Sequence, residues 1–220
     1  NIPVAIDIAI DNVKIQQVYS TKFLGVIINQ HLSWNDHILV VRGKVNKSIG
    51  ILLKIRKHVP SYSLLMLYNC LIHPYFDYCN IVWGHPSTVL NSLLRTQKKA
   101  IRIVTNSKWK SHSKPLFESL SILPLDQLHK FQAGCFVYKS LHNSLPTTFS
   151  DYFVHCTQIH HHNTRHSTKL HVFQSRIKIR ANSIRISGVN LWNLLDIKIR
   201  NAQSLSVFKK VFKKHLLTTM

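Results

Sequence analysis

Acidic residues are scarce in this chain. Eight Asp and Glu stand against 29 Lys and Arg in 220 residues, a formal charge of +21. None occurs between Asp36 and Asp77, between Asp77 and Glu118, or between Asp151 and Asp196. Chemistry that holds metal ions between closely placed carboxylates needs acids in clusters. Here they stand singly and read as caps and surface groups, so no catalytic residue is expected. Cysteine is sparse as well: Cys70, Cys79, Cys135 and Cys156 show no paired spacing. That excludes a disulfide scaffold and points to a reducing intracellular compartment, nucleus or cytoplasm, with free and mostly buried thiols. Long apolar runs are missing. Val26-Ile27-Ile28 and Ile51-Leu52-Leu53 are too short to cross a bilayer. No internal repeat and no signal peptide are visible. The first residue is Asn1 rather than Met, which suits a trimmed chain or a piece of a longer one.

What is present is enough to fold. Hydrophobic residues make up 45% of the chain, so a core can be buried. The charge is larger than solubility needs, and it repels itself in a compact state. A polyanion relieves that cost, and nucleic acid is the usual one. An anionic membrane surface is the other candidate. RNA or DNA is the partner expected, with no membrane.

Periodicity divides the chain into four parts: a β-hairpin over 1–32, a helical domain over 33–154, a His-rich loop over 155–181, and basic C-terminal helices over 182–220. Ile2, Val4, Ile6, Ile8 and Ile10 alternate with other residues, the mark of a strand. Phe23 to Ile28 is a short apolar strand broken by Gly25, where a bulge or a close backbone approach fits. From Ser33 the period lengthens. Ser33-Trp34-Asn35-Asp36 has capping-box spacing. Trp34, Ile38, Val41, Val45, Ile49, Leu52 and Ile55 then recur every three or four residues, with Arg42, Lys47, Lys54 and Lys57 on the other face. Ser61 is placed to cap a second helix that Pro74 kinks or ends. Ser87 is placed to cap a third, apolar at Leu90, Leu93, Leu94 and Val104, basic at Arg95, Lys98, Lys99 and Arg102. A fourth helix follows Pro124, and a fifth runs through 182–195. Ser204 caps the last, with Leu205, Phe208, Val211, Phe212 and Leu216 opposite Lys209, Lys210, Lys213 and Lys214. The fold class expected is mainly α: an N-terminal hairpin, a helical bundle and a C-terminal helical segment.

Basic residues on three separate helices, with no recognition-helix signature, predict phosphate contacts without sequence readout. Cys156, His160, His161, His162 and His166 fall within eleven positions and invite a zinc site. A closed structural site draws on two separated ligand pairs dominated by cysteine. Only one cysteine is here, so no metal and no cofactor is expected. Trp34 and Trp192 sit on apolar faces and read as core. Trp109, between Lys108 and Lys110, is the better candidate for stacking on a base.

Several short motifs follow one another in a fixed order. They are Lys22-Phe23-Leu24-Gly25-Val26, Leu32-Ser33-Trp34-Asn35-Asp36-His37-Ile38, Lys47-Ser48-Ile49-Gly50-Ile51-Leu52 and His73-Pro74-Tyr75-Phe76-Asp77-Tyr78 continuing to Trp83-Gly84. Gln97-Lys98-Lys99-Ala100-Ile101-Arg102, Asn163-Thr164-Arg165, Trp192-Asn193 and Phe208-Lys209-Lys210 complete the series. In that order they resemble the region after the catalytic palm in reverse transcriptases of non-LTR, jockey-like retrotransposons. In that family the polymerase acids lie upstream, in a Tyr/Phe-Ala-Asp-Asp segment that this sequence does not contain. The resemblance implies the thumb and C-terminal region of an RNA-directed DNA polymerase, separated from its palm and not catalytic by itself. It implies that Phe23, Leu24 and Gly25 form the primer grip, and that basic residues of the Trp34–Arg56 helix follow the duplex backbone. It also implies a palm domain as partner. Taken without the resemblance, Phe23 and Leu24 read as core strand residues. Two positions depart from the family's pattern: Asn29 stands where Asp is usual, and Gly188-Val189 where Gly-Pro is common. Two other readings remain: a standalone basic RNA- or DNA-binding module, or an inert transposon-derived remnant.

Overall fold

The structure, a computed structural model, describes residues 8–159 and 169–219. Two tight hairpins come first, where the sequence predicted one. β1 (Ala9–Ile10) pairs antiparallel with β2 (Val13–Lys14), and β3 (Ser20–Phe23) with β4 (Val26–Asn29). The first turn is Asp11-Asn12, both at positive φ, which short polar side chains tolerate. The period-2 run therefore reverses after Ile10; its residues 2–6 lie outside the described residues. Ile10, Val13, Val18 and Tyr19 are all exposed.

Twelve α-helices follow among the described residues. α1 (Asn35–Ile55) buries Ile38, Val41, Val45, Ile49 and Leu52, the stripe its periodicity predicts. Each such side chain contributes about 2 kcal/mol on burial. Its start differs from the expected capping box. Trp34 is the N-cap residue and supplies no side-chain bond, and Ser33 lies one position too early. Asn29 closes this corner instead. Its Nδ2 donates to Ser33 Oγ (2.8 Å) and Asp36 Oδ2 (3.0 Å), and its Oδ1 accepts from the Ser33 amide (2.9 Å). An aspartate at 29 has no N–H to give, so this asparagine suits its site.

α2 (Ser61–Leu71) begins after Pro60, which takes the N-cap place in extended conformation, so Ser61 is the first helical residue and not a cap. Proline's fixed φ suits this entry. The run does end near Pro74: α2 stops at Leu71, Pro74 stands in the first turn of α3 (His73–Asp77), and α4 (Asn80–Trp83) follows. α5 (Thr88–Val104) is capped by Ser87 Oγ, which accepts from the Leu90 amide at 3.0 Å. After α6 (Lys114–Ser119) comes α7 (Leu125–Leu141), buried on nearly all sides. Such a helix belongs in the middle of a core. α8 (Cys156–Ile159) and α9 (Lys178–Ala181) are single turns in the expected loop. There Asn193 clamps Leu170 by donating to its carbonyl (2.8 Å) and accepting from its amide (2.9 Å). α10 (Ile184–Leu194) and α12 (Leu205–Thr218) pack against α7, with α11 (Ile197–Arg200) between them. Ser204 caps α12 as expected, accepting from the Val207 amide at 3.3 Å. A Cβ on Gly134 of α7 would fall 2.4 Å from the buried Phe212 ring, so glycine sets how closely α7 and α12 approach. The hydrophobic core runs from Ile38 to Leu216 and joins segments 33–154 and 182–220.

The cysteines correct the expectation of burial. Cys135 is buried, Cys79 and Cys156 are half-buried, and Cys70 is exposed. Cys70 lies on the outer side of α2, where burial follows from helix phase and not from residue type.

Gln97 of α5 is fully buried and fully used. Its Nε2 donates to Tyr68 Oη (3.1 Å) and the Leu123 carbonyl (3.1 Å), and its Oε1 accepts from the Leu125 amide (2.8 Å). Leu125 is the first residue of α7, and Pro124 before it offers no side-chain cap. Gln97 thus caps α7 from another helix. Gln97→Met keeps the shape and orphans these buried groups, each costing about 1–3 kcal/mol. A loss of at least about 3 kcal/mol is expected in urea unfolding, with faster hydrogen exchange at the Leu125 amide. A variant as stable as the parent contradicts this role.

Four histidines have pKa values lowered chiefly by burial. His37 is also opposed by Lys44, and His73 by Lys213 with Asp77 pulling the other way. His85 is pushed down to about 4, with His129 adding to the burial effect. His129 is lowered although its Nδ1 donates to the Asn80 carbonyl at 3.1 Å. A group that binds its proton more weakly when folded leaves stability intact above its unfolded pKa, near 6.5. Stability is then lost as pH falls toward 4, by at most about 1.4 kcal/mol per pH unit for each group. Urea midpoints should fall between pH 7 and 4.5, less steeply in His85→Gln. A flat profile rules this out.

Candidate nucleic-acid interface

α1 and α5 run parallel. Near their starts Arg42 Nη1 donates to Ser92 Oγ at 3.1 Å. At their far ends a groove of about 710 Å³ opens, lined by Leu53 of α1, Arg56 and Lys57 just after it, and Lys99, Arg102 and Ile103 of α5. Residues 106–109 close its third side. The chain leaves α5 through Asn106 in the left-handed region, φ 51°. The Ser107 amide then bonds the Arg102 carbonyl (3.0 Å), and Arg102 Nε donates to the Ser111 carbonyl (2.9 Å).

The motif Gln97–Arg102 is divided by the helical period. Gln97, Ala100 and Ile101 are buried, while Lys99 and Arg102 face the groove. Five cations converge there: Arg56, Lys57, Lys99, Arg102 and Lys108. No acid is among the lining residues. Part of this charge answers the C-terminal ends of two parallel helices. Those ends contribute roughly one negative charge together, about half each. The cations outnumber that, so the groove stays positive. Lys99 Nζ lies 5.5 Å from the centre of the Trp109 ring, whose residue is 65% exposed.

Of the basic residues singled out in the sequence, Lys57, Lys99 and Arg102 meet in this groove. Arg95 is exposed one turn before Lys99 on the same face. Lys98 is half-buried beside them, and Arg42 is engaged with Ser92. Lys47 and Lys54, seven residues apart, share an exposed face of α1 outside the groove lining. Lys209, Lys210, Lys213 and Lys214 lie on α12. Lys209 is near Cys135 of α7 and Lys213 near His73, so they belong to another face. Sequence reasoning missed Arg56 and Lys108, which stand where helices end and periodicity gives no direction.

Phe23 ends β3, and Leu24 and Gly25 form the β3–β4 turn. Leu24 (φ 45°) and Gly25 (φ 84°) both have the positive φ that a two-residue type I′ turn requires. Tyr78 Oη donates to the Leu24 carbonyl at 2.6 Å. Phe23 and Leu24 are 62% and 73% exposed and are not core strand residues. Beside the turn is a hollow of about 530 Å³ lined by His37, Val41, Lys44, Tyr75 and Tyr78, among others. Lys44 Nζ stands 5.4 Å from the Tyr75 ring centre. From Val41 to Leu53, α1 rises about 18 Å, the length over which duplex carries about ten phosphates.

Trp83 is buried, with its Nε1 donating to the Tyr78 carbonyl at 2.9 Å, and Trp192 is buried as expected. Trp34 is half-buried at the edge of a cavity of about 850 Å³. Trp34, Ile38, Ile81, Trp83 and Phe136 give that cavity an apolar wall. Its lining carries one Lys or Arg, Lys178, so the smaller groove holds the charge. His160, His161, His162, His166 and the motif Asn163-Thr164-Arg165 lie outside the described residues. Among the described residues no group of three His, Cys, Asp or Glu side chains could hold a metal ion, and no helix is long and apolar enough to cross a membrane.

Compared with known proteins, the chain is similar to the probable RNA-directed DNA polymerase from transposon X-element of Drosophila melanogaster. The two are 22% identical over 126 residues. The match spans 55% of this chain and 14% of the relative. No protein-family model and no solved structure matches the chain. The likeness supports a distant relationship to transposon reverse transcriptases.

Proposed function

We propose that this chain is the thumb and post-thumb part of a transposon reverse transcriptase, binding RNA or DNA through phosphates and carrying out no nucleotidyl transfer itself. One observation carries the reading: five cations, from the residues just after α1, from α5 and from the loop after it, converge on a groove without an acid. Phosphates answer such a groove on every sequence alike, and base edges need not be read. The likeness to a transposon polymerase supplies the class of molecule. Within this reading, the exposed Phe23-Leu24-Gly25 turn approaches the primer end, where glycine admits close backbone contact. The exposed apolar residues of the first hairpin then meet a palm domain.

Binding titrations over a salt series test the groove. Affinity should fall steeply, a thousandfold or more between about 50 and 200 mM salt if six or more phosphates are engaged. Neutralising Lys57 and Lys99 to Gln should lower the salt slope by about one unit per lost contact, equally on every sequence. Neutralising Lys47 and Lys54, on the outer face of α1, should lower it less. Equal losses from both pairs would spread the interface over the surface. A strong sequence preference would favour a standalone binding module.

Catalysis is tested separately by primer extension on a primed RNA template with Mg²⁺ or Mn²⁺. No incorporation is expected. Activity that survives repurification and scales with the protein overturns the non-catalytic reading.

A further inference from the structure

Trp109 is the one indole held out in solvent on a pinned loop. Trp83 and Trp192 are buried and Trp34 is half-buried. Several bonds fix the loop: Ser107 Oγ to Thr105 Oγ1 (2.8 Å), the Ser111 amide to the Lys108 carbonyl (3.0 Å), and Arg102 Nε to the Ser111 carbonyl (2.9 Å). Lys99 stands toward the indole, a contact worth about 0.5–1 kcal/mol at an exposed site. The loop backbone that carries the ring is therefore fixed before any ligand arrives, which lowers the ordering cost of binding. Leu53 and Ile103 give the groove an apolar part between its cations.

We propose that this groove is a subsite for single-stranded nucleic acid, in which Trp109 stacks on a base while Lys57, Lys99 and Lys108 hold the flanking phosphates. This rests on the reading that the chain binds nucleic acid. Bases in a duplex have both faces covered by their neighbours, whereas an unpaired base can lay one face on an aromatic ring. A patch for duplex alone needs no exposed indole; cations suffice for it. An acidic peptide would answer the charge but leave the indole without a flat partner. Stacking is tolerant of base identity, which fits a site with no arrangement for reading base edges.

The test uses the full chain with two probes: a single strand of about 12 nucleotides, within the site sizes such grooves accept, and a duplex whose ends are closed by loops. Trp109→Ala should weaken single-strand binding roughly 5- to 150-fold, the worth of one stacked base. It should leave duplex affinity and the salt slope unchanged, and Trp109→Phe should recover most of the loss. The single strand should also quench indole emission of the unaltered protein, and that quenching should disappear in Trp109→Ala. An equal loss on both probes, no loss, or a changed slope overturns the stacking subsite. Competition by polyglutamate as strong as by the single strand overturns it in favour of a general anion site. If neither probe binds, the nucleic-acid reading fails as well. If the duplex binds with a steep salt slope while Trp109→Ala changes nothing, only the stacking subsite fails.

Discussion

The fold depends on Gln97. Three helices distant in sequence meet at its amide: α5, which carries it, α2 through the Tyr68 hydroxyl, and α7 through the Leu123 carbonyl and the Leu125 amide at its start. The low dielectric around it strengthens these bonds and makes any unpaired member costly. It therefore acts as a selector. Helices α2, α5 and α7 can pack in many ways that bury leucine, but few also satisfy these groups. The burial of Tyr68, whose hydroxyl is held well above its usual pKa by desolvation, belongs to the same constraint.

Once α5 is fixed, the rest of the candidate interface follows. Its inner face is committed to Gln97, Ala100 and Ile101, so the helical period turns Lys99 and Arg102 outward beside the end of α1. Parallel packing then sets two helix C-termini side by side, a place where cations are favoured in any case. Structure and proposed function draw on the same charges: a few stabilise the helix ends, and under the proposed reading the excess remains for a polyanion. At the other end of α1, the hairpin turn is held by Tyr78, which reaches 54 residues back in sequence to the Leu24 carbonyl. Leu24 adopts a backbone conformation that L side chains disfavour and still exposes its side chain. Residues kept in sparsely populated conformations persist only where the surroundings over-determine them, and they concentrate at functional sites.

Much of this was legible from one sequence, because periodicity is a strong signal for long helices. The stripe on α1, the Ser87 and Ser204 caps and the helix after Pro124 all follow from spacing of three or four residues. The short elements α3, α4 and α6 were not legible, since helices of four to six residues span too few turns to show a period. Caps at Ser33 and Ser61 failed for a local reason: the helix began one residue away from where the side chain could serve it. Of the candidate interface, the sequence marked Lys57, Lys99, Arg102 and Trp109. It had no means of separating them from Lys47, Lys54 and the α12 lysines, because exposure looks alike on every helix.

By itself the sequence determined the fold class and the charge. The mainly α fold, the basic excess and the ordered motifs that resemble a retrotransposon polymerase are properties of composition and spacing, which need no coordinates. Only tertiary structure decided which charges act together. Convergence of Arg56 and Lys57 with Lys99, Arg102 and Lys108 depends on how α1 and α5 pack, and packing direction is not encoded in the period of either helix. Likewise, Phe23 and Leu24 read as core from their apolarity alone. They are exposed because Phe23 ends a strand whose residues are all exposed and Leu24 opens the turn after it, and burial is a property of place and not of residue type.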